Sequence, residues 1–105
     1  MTLQYPTATE AVTWFYNSAS ATLTTVYNVV RGVSPSVTYN IKWAATRDAA
    51  SAITSAFTAD TTVTSTAGAS PTPNNTTIAA GYYVWLETSA AAAGTTEFHV
   101  TIRTV

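Results

Sequence analysis

The sequence contains no cysteine, so a disulfide framework and a thiolate metal site are both excluded. Histidine occurs once, at His99, which rules out a two-histidine metal site and leaves a catalytic triad a single candidate base. Charge is scarce: 9% of residues are Asp, Glu, Lys or Arg, against about 25% in an average domain. The formal net charge of −1 gives no electrostatic basis for binding nucleic acid or an anionic membrane surface. No apolar run approaches the roughly 20 residues that a membrane-spanning helix needs. The opening MTLQYPTATE has neither a basic region nor an apolar core, so a secretory signal is not expected. Gly-rich phosphate loops, acidic calcium loops and a G-x-S-x-G elbow are also missing.

What is present is β-forming material. Hydrophobic residues make up 47% of the 105-residue chain, and there are 3 Trp, 6 Tyr and 3 Phe. Threonine, serine and alanine take the place of charge. Threonine is β-branched and half polar, which suits the solvent face of a strand. The length fits a single domain over residues 1–105, with residues 1–10 as an extended N-terminal arm.

Period-two alternation is clearest in SVTYNIKW, where Val37, Tyr39, Ile41 and Trp43 share one face. Upstream, ATLTTVYNVVRG reads as a strand, and RGVSPS as the turn that follows it. In AVTWFYN, Val12, Trp14 and Tyr16 fall on one face and Phe15 on the other, so both faces are partly apolar. TRDAASAITSAFTAD reads as a loop over residues 46–52 and then a short strand to Phe57; TTVTST is another short strand. AGASPTPNNTT is an exposed loop. Asn75-Thr76-Thr77 matches a glycosylation sequon, to which the lack of a secretory signal gives no weight.

Near the C-terminus, GYYVWLETSAAAAGTTEFHVTIRTV reads as a hairpin turning at AAAAG. Val84 and Leu86 would meet Phe98, Val100 and Ile102 on an apolar face. The opposite face would carry a stripe of Tyr83, Trp85 and His99. Two registers satisfy the apolar face. One sets Trp85 across from His99 and Glu87 across from Glu97. The other sets Glu87 across from His99 and Tyr83 across from Arg103, which avoids facing carboxylates. The stripe admits three readings: a sugar-stacking platform, a protein interface, or a strand face covered by a loop of the same chain. Seven to eight short strands, with turn signals about every ten residues and no crossover helix, predict an all-β antiparallel sandwich, jelly-roll or immunoglobulin-like.

The stretches GVSPSVTYNIKWAATRDAASA, FTADTTVTSTAG and TIAAGYYVWLETSAAAAGTTEFHVTIR together resemble small virion structural proteins of tailed bacteriophages, cyanophage-like ones above all. The similar segments cover about three quarters of the chain, from Val26 to Arg103. Ala79 and Ala80 stand where the family tends to carry Pro and Ala, and the linker after Ala67 is rich in Pro and Asn. The resemblance implies a non-enzymatic particle component without cofactor or metal. Its expected place is the capsid surface, as a decoration or cement protein made in the cytoplasm of the infected bacterial host. Its expected partners are the major capsid protein and further copies of itself, as a homotrimer or homodimer, with no nucleic acid and no membrane. The candidate interface residues are Trp14, Phe15, Tyr16, Tyr83, Trp85 and His99. The competing expectation is a head- or tail-fibre module that binds host-surface glycans. A chain that starts at Met1 and has no shaft favours the stand-alone cement protein.

Overall fold

The computed structural model describes residues 1–48 and 50–105. Ala49, inside the loop expected over residues 46–52, lies outside the described residues. Those residues form nine strands and no helix: β1 (Thr2–Gln4), β2 (Ala11–Asn17), β3 (Ala21–Gly32), β4 (Val37–Ala44), β5 (Thr54–Ser55), β6 (Thr61–Val63), β7 (Thr77–Ile78), β8 (Tyr82–Ala91) and β9 (Thr95–Thr104). They build two antiparallel sheets packed face to face as a sandwich. One has the order β1-β9-β3-β7; the other runs β2-β8-β4-β5, with β6 also on β4. Within the N-terminal stretch, Thr2–Gln4 forms the edge strand beside β9, and the chain then bends at Tyr5. The Met1 ammonium donates to the Val100 carbonyl at 2.6 Å, and partial burial lowers its pKa by desolvation.

Side-chain alternation generates the core. Leu23, Val26 and Val30 of β3 and Phe98 and Val100 of β9 face Val37, Tyr39, Ile41 and Trp43 of β4 and Val84 and Leu86 of β8, and all are buried. Ile102 packs against this cluster but is only half-buried. Burying a side chain of this size contributes about 1.5–3 kcal/mol, so period-two patterning alone supplies a strong preference for these inward faces.

The expected terminal hairpin is not formed. Strands β8 and β9 lie in different sheets: β8 pairs with β2 and β4, and β9 pairs with β1 and β3. The small-residue turn between them crosses the sandwich, as does the turn from β3 to β4. The two crossings lie side by side and are tied together. Val33 N donates to Gly94 O at 3.0 Å, Ala92 N to Ser36 O at 2.9 Å, and the buried Thr95 hydroxyl accepts from Ser36 N at 2.9 Å. The approach is close enough that a Cβ on Gly94 would overlap the Val33 carbonyl, and one on Gly32 would overlap the Gly94 carbonyl. Gly32 also has φ of 134°, which disfavours any side chain there.

Strands β5 and β6 contact opposite ends of β4. The gap between them is closed by the buried Asn40 side chain. Its Nδ2 donates to Phe57 O at 2.8 Å and to Asp60 Oδ1 at 2.9 Å, while its Oδ1 accepts from Phe57 N at 3.1 Å. One amide thus substitutes for the missing strand backbone.

Candidate functional site

Strand β2 is an outer edge of its sheet, and its pairing with β8 is irregular between Thr13 and Phe15. Trp14 is the extra residue of a β-bulge, and the bulge resets which face each side chain takes. Val12 aligns with Leu86 and Phe15 with Val84, both core residues, whereas Thr13 aligns with Trp85 and Tyr16 with Tyr83. The expected face of Val12, Trp14 and Tyr16 is therefore broken. Phe15 turns inward with Val12, and Tyr16 turns outward. Trp14 is half-buried, and its ring meets Phe15 edge-on at 6.2 Å.

On the outer face, Tyr16 and Tyr83 form an edge-to-face pair with centroids 5.0 Å apart, at 55% and 38% exposure. Such a pair holds two large rings in fixed orientation at the surface. Among the described residues, the backbone beside it pairs with no strand on its outer side, although the Ala11 carbonyl accepts from Arg47 Nη2 at 3.3 Å. Glu10 O accepts from Thr88 N and Asn17 O from Gly81 N, so both ends of β2 turn these groups toward β8. By strand alternation, the backbone groups of Ala11, Thr13 and Tyr16 point away from the sheet. No residue of β2 is charged or proline, the usual guards of an exposed edge.

The structure does not assemble the Tyr83–Trp85–His99 stripe. Trp85 does lie on the outer face, between Thr13 and Lys42, yet it is only 1% exposed. The Arg47 guanidinium sits 4.4 Å from the centre of its ring and is held there by bonds to Thr13 Oγ1 at 3.0 Å and Ala11 O at 3.3 Å. The indole Nε1 donates to Glu87 Oε2 at 2.6 Å, and Glu87 Oε1 lies 3.5 Å from Lys42 Nζ. Of the three readings of this strand face, cover by a loop of the same chain is the one realised for Trp85. Glu87 does not face Glu97, which lies in the other sheet beside Gln4 and Arg31.

His99 belongs to the four-stranded sheet. Its Nδ1 is 2.8 Å from Thr2 Oγ1 and its Nε2 is 2.7 Å from Thr101 Oγ1. Both ring nitrogens thus bond to threonine hydroxyls among the described residues, and neither to a carboxylate. Among the described residues, no three His, Asp or Glu side chains converge as a metal site would require. Asp60 accepts from Asn40 and from Ser89 Oγ at 2.7 Å, and these bonds hold its carboxyl below the usual range. The cluster closes a gap between strands.

Sequence reasoning missed two residues. Arg47 lies in the loop over residues 46–52, yet its partners are Trp85 and β2. Tyr27, 51% exposed, stands on the outer face of β3. Its alternation with the buried Val26 and Asn28 is the signal that marks it as outward. Comparison of the chain with protein-family models, with curated proteins and with solved structures finds no match.

Proposed function

We propose that this chain is a non-enzymatic structural protein of a tailed-phage particle, a capsid decoration or cement protein that binds the major capsid protein lattice and stabilises the shell. The observation that carries the reading is the exposed Tyr16–Tyr83 pair beside the edge strand β2. Aromatic rings at a surface are efficient anchors in protein interfaces. An open edge can extend a neighbour's sheet by main-chain hydrogen bonds. The phage-like stretches between Val26 and Arg103 support the particle, and the low charge suits repeated contact between identical copies as a trimer or dimer. Cementing requires only modest contacts multiplied over a lattice.

The test uses particles depleted of the protein. They are expected to assemble yet to rupture sooner under heat or osmotic shock, and the added-back protein should restore them. A Tyr16→Ser/Tyr83→Ser variant should fold but fail to restore them. Depleted particles that withstand both stresses yet no longer attach to host cells would overturn cementing in favour of receptor binding.

A further inference from the structure

The outer face of the four-stranded sheet carries a groove of about 480 Å³. Tyr27 and Val29 of β3 line its floor, His99 stands on one side, and Gly68, Ala69 and Ser70 form the other. The far wall is fixed. Asn28 N donates to Ala69 O and Ala69 N to Asn28 O, both at 2.8 Å, and Ser70 Oγ donates to Val26 O at 2.9 Å. The near wall is fixed by the bonds from His99 to Thr2 and Thr101.

We propose that this groove is a binding site for a neutral pyranose unit of a glycan, stacked on Tyr27. Four observations select that class. First, the volume lies within the usual range of small-ligand sites, about 300–1,000 Å³. Second, among the described residues no Asp, Glu, Lys or Arg lines the groove, so no fixed charge there selects an ionic ligand. Third, the backbone of β3 is occupied on both sides at this level, by β9 and by the Ala69 bridge. An extended peptide therefore finds no free edge to pair with, and the ligand must be held through side chains. Fourth, the exposed Tyr27 ring shares the groove with the polar side chains of His99 and Ser70. A pyranose matches this arrangement, because it offers C–H groups on its face and hydroxyls around its rim. Walls held by hydrogen bonds also reduce the ordering cost of binding. Tyr27, not the Tyr83–Trp85 stretch, is the stacking ring, since Trp85 is covered. The site lies on the sheet opposite Tyr16 and Tyr83, so it stands or falls independently of the cement reading.

The test is a titration of the isotope-labelled protein with methyl glycosides of glucose, galactose, mannose and N-acetylglucosamine, followed by amide NMR. At least one should give saturable shifts confined to residues 27–29, 67–70 and 99. Tyr27→Thr keeps strand propensity and should weaken that binding by about tenfold or more, while Tyr83→Ser leaves it unchanged. Cooperative unfolding of both variants verifies their fold. The proposal is overturned if none of the four sugars gives saturable shifts in the groove, or if folded Tyr27→Thr binds as tightly as the parent.

Discussion

A fully buried polar bond links the two sheets through the interior of the sandwich, and its energetics can be worked out. Asn28 of β3 donates from Nδ2 to the Tyr39 hydroxyl of β4 at 2.6 Å, and both residues are buried. The Asn28 Oδ1 is buried and finds no partner among the described residues. Changing Tyr39→Phe keeps the ring, which packs on Phe57 at 6.1 Å and Phe98 at 4.9 Å. It removes the only acceptor that the described residues offer the Asn28 amide, and a buried donor left unsatisfied costs about 1–3 kcal/mol. Asn28→Leu strands the Tyr39 hydroxyl instead, but it also deletes the orphan carbonyl. The double variant Asn28→Leu/Tyr39→Phe strands nothing and should match the parent within about 1 kcal/mol or exceed it. The coupling between the two sites should therefore be about 1–3 kcal/mol. Urea denaturation followed by tryptophan fluorescence measures it. With a slope of about 1–1.5 kcal/mol per molar urea, a loss of about 2 kcal/mol lowers the midpoint by about 1.5 M. If Tyr39→Phe leaves the midpoint in place, or the two single effects simply add, the bond carries no stability and the reasoning fails.

The same tyrosine sets an alkaline limit. Burial, partly offset by the Asn28 bond, raises its pKa to about 12, so the unfolded chain loses the proton first. Stability is intact below the unfolded value near 10 and falls as pH rises toward 12, by about 2–3 kcal/mol in all; Tyr39→Phe should flatten that fall in denaturation curves taken across this range. Gly94→Ala should destabilise by several kcal/mol, on the order of other backbone-strain substitutions, because no side-chain movement relieves an overlap with the Val33 carbonyl; thermal melting is the readout. Arg47→Ala should uncover Trp85 and cost about 0.5–2 kcal/mol. Its mark would be a red shift of emission that Asp48→Ala does not reproduce.

The alternation in SVTYNIKW, YYVWLET and EFHVTIR determined by itself which side chains go inward. A strand has two faces, only one of these was uniformly apolar, and burial rewards that face in any β architecture. That much defines an all-β sandwich and about half of its core, the rest coming from β3 and from Ala56, Phe57, Val63 and Ile78. Alternation assigns a face, however, and not a sheet. The inward faces of β8 and β9 would be satisfied equally by a hairpin and by two strands on opposite layers, so nothing local in AAAAG announced that the turn crosses the sandwich. Long-range packing decided it: Gly94 fits against the Val33 backbone, and Thr95 joins the two crossings. With that choice His99 went to one sheet and Trp85 to the other. The candidate site was legible for Tyr16 and Tyr83 as exposed aromatics but not as a pair. Their contact depends on the bulge at Trp14, which shifts the register by one residue and exchanges the faces of Phe15 and Tyr16. Trp85 had the pattern of a surface residue. Its burial depends on Arg47, which lies 38 positions before it in sequence and 4.4 Å from its ring in space, a proximity that only the folded chain creates.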